Sequence, residues 1–425
     1  MAQNKIKYSM LVTLTIALAV AVCVSMLYDS GRLQKLELLS LDYRFLINSL
    51  TPRSSFGYSF SKGDNWIEHF VKQKTSRDSA GSKIVFIDMP EETVGTKTFM
   101  SSAACDDVIK ILILHGAKTI ALNTIMYEPQ SGDDYTQLAN LISESKGIYL
   151  PVLYDIKKEK LESLYNGDGV NYMVDSQAIF AAADTKTGHI NAFPDADGKI
   201  RRVPAVISYA GDKTYHLGLQ IAFDALGLGT GSVKFDPDRH VIILSRPGGE
   251  KGEISLEKDN QLIVNWAATG KDAIKHIPYR DIVDSYRFEQ GGIRPIVDLK
   301  TLAGKICIIG ATESNKTIGR PALVGYSYTP AGASGMIIAS VLDMSFVRQA
   351  PKAFNKILIF LISIMVGLSI ANRKMLSIMM IVILLSAVLV LLYMYGVSSA
   401  IYLIIAVGQP YLWVYFYRVS VFSAG

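Results

Sequence analysis

Three apolar runs lie almost end to end at 354–371, 375–395 and 400–417, each 18 to 21 residues long. That is close to the ~20 residues a helix needs to cross a bilayer core of roughly 30 Å. No Asp or Glu follows Asp343. A water-soluble domain with three such runs side by side has no polar face to offer, so they are read as membrane helices. A fourth run at 10–28 follows Lys5 and Lys7. It is longer than the roughly 7–15-residue core of a secretory signal and lacks a small-x-small cleavage site. Val20-Ala21-Val22-Cys23 is a poor lipoprotein box because Val precedes the Cys. An uncleaved anchor is the expectation.

Charge orients these spans. Lys5 and Lys7 precede the first, Arg373 and Lys374 separate the second and third, and Arg418 follows the fourth. The positive-inside rule places all five on the cytoplasmic side, with residues 1–9 and the tail at 418–425. Residues 30–350 then face the exterior. They hold nearly all the acids and, at about 320 residues, suffice for one large or two modest cores. The expected home is a cell membrane, with both termini cytoplasmic and the large domain outside the cytoplasm. A net charge of +5 with no Lys/Arg cluster argues against nucleic acid. Of three cysteines, Cys23 falls in a span. Only Cys105 and Cys307 can pair outside, and both are expected to be buried free thiols.

Along 32–50, Leu36, Leu39, Tyr43, Leu46, Ile47 and Leu50 recur at helical spacing, and Thr51-Pro52 ends the pattern. Residues 53–82 show no period and read as a surface loop or an insertion. A strand–helix alternation then begins: strand 84–88, helix 106–115 closed by Gly116, strand 117–126, helix 134–143, strand 147–154. Such alternation implies a parallel sheet. Next, 188–193 and 199–209 flank Pro194-Asp195-Ala196-Asp197-Gly198 and read as a hairpin. A helix at 216–226 follows, then strands within 233–244 and 253–266 with a turn at Asp236-Pro237-Asp238. The parallel pattern resumes with strand 305–309 and ends in helix 331–346. The expected fold class is an α/β extracytoplasmic domain, a mixed sheet with flanking helices, plus four transmembrane α-helices.

Several motifs come close to known chemistry. Gly310-Ala311-Thr312-Glu313-Ser314-Asn315-Lys316-Thr317 nearly spells a phosphate loop after a strand. However, Asn315 stands where a second Gly lets the backbone wrap a phosphate, and Gly319, Pro321 and Gly325 oppose a helix from Lys316. Asp195-Ala196-Asp197-Gly198 opens like a calcium loop, but Val206 occupies the place of the liganding Glu. A turn is the better reading. Arg201 and Arg202 can clamp an anion, or pack against local carboxylates. The six histidines show no metal spacing, and no nucleophile motif appears. No cofactor is expected. Gly408-Gln409-Pro410 interrupts the last apolar run, either as a kink or as a contact face for another subunit at Gln409 and Pro410.

Taken in order, these blocks resemble the CHASE-2 family of extracytoplasmic sensory domains carried by bacterial adenylate cyclases, histidine kinases and serine/threonine kinases. The likeness runs from Leu36 to about Phe346. It rests on Leu41-Asp42-Tyr43-Arg44-Phe45, Ile84-Val85-Phe86-Ile87-Asp88, Gly116-Ala117-Lys118 and Asp133-Asp134. The most specific block is Gly188-His189-Ile190-Asn191 with Asp197-Gly198-Lys199-Ile200-Arg201-Arg202. Gly304-Lys305, Ile308-Ile309-Gly310-Ala311-Thr312, Thr329-Pro330 and Gly332 complete it. One span, a domain and three spans is also that family's arrangement. The family favours Asp where Asn123 stands, and an acid and a His where Ser334 and Met336 stand. It usually continues into a cytoplasmic output domain, whereas here only 418–425 follow the last run.

The resemblance implies a non-enzymatic sensory subunit that relays an external cue to a separately encoded effector. Candidate ligand-binding residues are Asp88, Asn123, Asp197, Arg201, Arg202 and Thr312. Expected partners are the lipid bilayer, further copies of the chain or a membrane or cytoplasmic effector, and an external small-molecule or protein ligand. The rival is a scaffold that assembles without sensing, favoured by the altered Asn123 and Met336. An exported hydrolase lacks a nucleophile or metal set.

Overall fold

The computed structural model describes residues 80–89, 102–125, 136–157, 185–229, 231–245, 251–266, 274–310 and 330–346, Ala196 and Lys258 excepted. Shorter pieces fall within 15–26 and at 41–42, 92–94, 97–99, 164, 169–175 and 360. The chain divides into two compact units, 45–347 and the combination of 1–44 with 348–425. In the latter, Thr15, Leu18, Ala19, residues 21–26, Leu41, Asp42 and Phe360 are helical. Among the described residues no helix is long and apolar enough to cross a membrane. The runs at 375–395 and 400–417, nearly all of 354–371, part of 10–28, and Gln409 and Pro410 lie outside the described residues.

The 45–347 unit is organised on a seven-stranded sheet. Strands β15 (Lys275–Pro278), β1 (Ile84–Asp88), β16 (Ile306–Gly310), β4 (Thr119–Leu122), β5 (Ile148–Ile156) and β6 (Val170–Asp175) lie side by side in that order. Strand β7 (Lys186–His189) also pairs with β5. All these pairings are parallel except β5 with β6, so the sheet is mixed. β16 and β4 are buried throughout and β1 at all but its last residue. Such continuous apolar runs belong to strands covered on both faces.

One face carries α1 (Ser102–Leu114), α2 (Thr136–Glu144) and α4 (Tyr279–Gln290). There Leu112, Leu138 and Ile282 join Val85, Ile87, Leu122 and Ile309 in one core. The other face carries α3 (Leu217–Ala225) and α5 (Pro330–Leu342). These approach without intervening side chains. A Cβ on Gly335 of α5 would run into the Phe86 ring. One on Gly218 would lie 2.7 Å from the Ser334 carbonyl oxygen, and one on Gly188 2.5 Å from Leu217 Cα. Real Cβ contacts do not come so close, which makes these positions of α3 and α5 dependent on glycine.

Smaller antiparallel pieces complete the unit. β11 (Val233–Asp236), β12 (Val241–Ser245) and β13 (Lys251–Ser255) form a three-stranded sheet. β9 (Val206–Tyr209) and β10 (Asp212–Tyr215) form a hairpin whose two loop residues, Ala210 and Gly211, have φ of 52° and 93°. Positive φ at both loop positions marks the turn that matches strand twist. β8 (Arg202–Pro204) pairs with β14 (Gln261–Ile263), and β2 (Glu92–Val94) with β3 (Lys97–Phe99).

Four expectations need correction. The turn after Pro194 forms, with the Asp195 N–H donating to the Lys199 carbonyl at 2.8 Å, but its flanks are not a hairpin. β7 is committed to β5, where Asn191 bonds both the N–H and the carbonyl of Tyr154 at 3.0 and 2.7 Å, and β8 belongs to β14. The strand expected at 117–126 narrows to Thr119–Leu122. The last helix stops at Leu342, where Met344 turns to a φ of 49° and the Ser345 N–H reaches back to the Ser340 carbonyl at 2.8 Å. The loop expected at 53–82 ends in a 3-10 turn, Ala80–Lys83, while 53–79 lie outside the described residues.

Cys105 and Cys307 are free and buried in the α1-side core. Burial pushes each thiol up to about 12, with Asp106 adding to the effect at Cys105. Since the thiolate is the reactive form, both are expected to escape a water-soluble maleimide at pH 7.5 until denaturant is added. Peptide mass mapping checks this, and labelling of either in the folded protein would contradict the buried assignment.

Candidate functional site

The carboxyl edge of the parallel strands is the first place to look. The connections from β1 and β4 lead to α1 and α2 on one face, whereas that from β16 leads to α5 on the other. β16 is thus flanked on both sides by strands whose chains leave in the opposite direction. Crevices for ligands open at such reversals. Asp88 is in register with Gly310, and the Asn123 N–H donates to the Ile309 carbonyl at 2.9 Å. Asp88 and Asn123 therefore stand on the α5 face, either side of a residue with no side chain.

α5 closes over that gap. A Cβ on Gly310 would touch Ala331 Cβ at 3.5 Å and Thr124 Oγ1 at 3.4 Å. Ser334 Oγ donates to Asn123 Oδ1 at 2.8 Å, holding the end of β4 to the helix. Asn123 is only 5% exposed, and its Nδ2 makes no hydrogen bond. On the other side, His276 Nδ1 lies 3.2 Å from both carboxylate oxygens of Asp88, and its ring meets Phe86 at 4.8 Å. Thr312 lies outside the described residues.

The remaining candidates gather separately, around the turn. Arg201 is 0% exposed. Its Nη1 reaches Asp195 Oδ2 at 3.1 Å and Asp197 Oδ1 at 2.8 Å, and its Nη2 reaches Asp197 Oδ2 at 2.7 Å. Arg202 Nη2 adds a looser contact to Asp195 Oδ1 at 3.4 Å. The Arg201 hydrogen bonds hold the Asp197 carboxyl below its usual range, against the opposing effect of partial burial. Both aspartates of the calcium-like sequence are thus turned towards guanidinium groups. Of the two readings of the arginines, packing against local carboxylates is what the geometry displays.

A third cluster escaped the sequence. His189 ends β7 and His216 caps α3, and an isolated parallel bridge joins their backbones. The rings meet edge to face at 5.2 Å, both 0% exposed. His216 Nδ1 accepts the Gly218 N–H at 3.2 Å. Among the described residues His216 Nε2 makes no hydrogen bond, and His189 has only the Ala205 carbonyl facing its ring, outside full hydrogen-bond geometry. Burial lowers His216 to about 3. His189 lies well below its usual value through burial first and the neighbouring His216 second, with the Ala205 carbonyl opposing. Separated by 27 positions in sequence, the pair has no periodic signature; only the strand bridge brings it together. Among the described residues no group of three or more His, Cys, Asp or Glu is placed to hold a metal.

A family model described as the CHASE2 domain matches residues 16–388. No curated protein and no solved structure matches the chain.

Proposed function

The chain belongs to the CHASE2 domain family of extracytoplasmic sensory domains, and from that premise we propose a non-enzymatic, membrane-anchored receptor subunit. It spans the bacterial inner membrane at 10–28, 354–371, 375–395 and 400–417, with 1–9 and 418–425 cytoplasmic. Residues 30–350 meet an external cue. The spans relay the response to a separately encoded effector.

The placement of α5 carries this reading. Its first turns are bonded to the end of β4 through Ser334 and lie against Gly310 at the carboxyl edge of the sheet. Its sequence then leads on towards the apolar run at 354–371. A ligand that favours one seating of α5 over another shifts the helix, by no more than its difference in affinity for the two.

Copurification from native membranes tests the proposal. A cyclase or kinase bound to the full chain supports it. A large stoichiometric ring or filament with no such partner favours the scaffold instead. Protease treatment of intact spheroplasts should digest 30–350 and spare the tail. Protection of that region together with clipping near Gly425 would overturn the orientation.

A further inference from the structure

We propose that His189 and His216 form a proton-operated latch between β7 and α3, closed while both rings are neutral and opened by acid. Its link to signalling rests on the sensory reading above; the latch itself does not.

The chemistry lies in the cap. An Nδ1 that accepts the Gly218 N–H carries no proton, so His216 is the neutral ring with its hydrogen on Nε2. Protonation turns Nδ1 into a donor and deletes the cap. It also sets a cation at the positive end of the α3 dipole, where cations are disfavoured. A proton on His189 places a second cation beside it, with the ring centres 5.2 Å apart and both groups out of water.

The Ala205 carbonyl favours a proton on His189, but burial and the neighbouring ring outweigh it, and no charged group among the described residues compensates. On β5, Asp155 accepts from the Asn171 amide, Tyr154 bonds Thr214 at 2.7 Å, and Tyr149 donates to Asp224. Lys186 of β7 also goes to Asp224 of α3, at 2.9 Å. On β10, Asp212 is exposed, Lys213 lies over Phe235, and the Tyr215 ring meets Phe223. α5 carries no titratable side chain. No carboxylate on these elements is bonded to either imidazole.

The direction of the pH effect follows. The folded histidines sit below the ordinary value of about 6.5 that they regain when α3 lets go. The closed form therefore keeps its full advantage above that pH and loses it as pH falls from about 6.5 towards 3. Each ring changes the open-to-closed ratio by up to about tenfold per pH unit, and the two together by up to about a hundredfold. Release of the first turn of α3 reaches α5 directly, because Gly218 packs against the Ser334 carbonyl.

Hydrogen exchange at the Gly218 and Leu219 amides of the full chain in lipid nanodiscs, corrected for intrinsic rates, reads the opening between pH 7.5 and 4.5. The expected wild-type result is an opening constant rising between tenfold and a hundredfold per unit below about pH 6. His216→Asn keeps a capping oxygen but does not titrate, and should reduce the rise to at most tenfold per unit. His189→Gln with His216→Asn should abolish it. Opening that is independent of pH in the wild type overturns the latch, as does a wild-type slope in the double variant. If the double variant fails to fold, the wild-type slope and His216→Asn decide. Acid opening in a chain that binds no effector keeps the latch while ending the sensory reading. A flat response in a chain that does bind one has the opposite effect.

Discussion

Gly188→Ala is expected to destabilise the 45–347 unit by about 3 kcal/mol, at the upper end of ordinary overpacking. The new methyl would sit 2.5 Å from Leu217 Cα and 2.9 Å from Leu217 N. Those are backbone atoms at the start of α3, so no rotamer change makes room. Only a shift of the whole helix does, and α3 is blocked on its far side by the Ser334 carbonyl against Gly218. Thermal unfolding should show a drop in Tm of roughly 10 °C. Gly229→Ala serves as the control, since a Cβ there meets nothing within 4 Å. A change at Gly188 as small as at Gly229 would mean that β7 and α3 are not in backbone contact.

Arg201→Met should cost a comparable amount, about 3 kcal/mol. The guanidinium is wholly buried and bonds Asp195 and Asp197. Its loss leaves two carboxylates beside each other, with Arg202 and Lys199 the nearby cations among the described residues. Arg201→Lys should recover less than half of the loss, because a single ammonium lacks the planar fork that bridges both acids. Asp197 titrates below its usual range, so its pairing contributes stability above about pH 3.8 that disappears as pH drops further. The clamp thus remains intact where the histidine pair opens, and the two acid effects separate on the pH axis. Denaturant melts of both variants at pH 7.5 and 5 provide the check. An Arg201→Met protein that melts like wild type would return the guanidinium to the list of ligand contacts.

What the sequence disclosed depended on how local each signal was. β1 and β16 could be read directly, because Ile84–Asp88 and Ile306–Gly310 are short apolar runs between polar breaks. α3 was equally plain, since Leu217, Ile221 and Ala222 repeat at helical spacing and are buried. α4 left little trace: among its twelve residues only Ile282 and Ser285 are buried. β6 was also missed, because it lies along β5 with Tyr172 and Met173 exposed, and its composition matches a loop. The turn at Asp195 is local chemistry and was legible; the partners of its flanking strands are long-range and were not. The same limit hid the histidine pair, whereas Asp88 and Asn123 could be nominated as candidates because strand ends are predictable places.

The position of β16 has a consequence for biosynthesis. It is the last strand of the main sheet to be made, yet it lies between β1 and β4. Ile84 must wait about 220 residues for Ile306, its neighbour in the ladder. At about 5–20 residues per second that is roughly 10–45 s of translation during which β1 and β4 have bare inner edges. Those edges invite pairing with other emerging chains until the central strand arrives, so raising the expression rate should lower the folded yield.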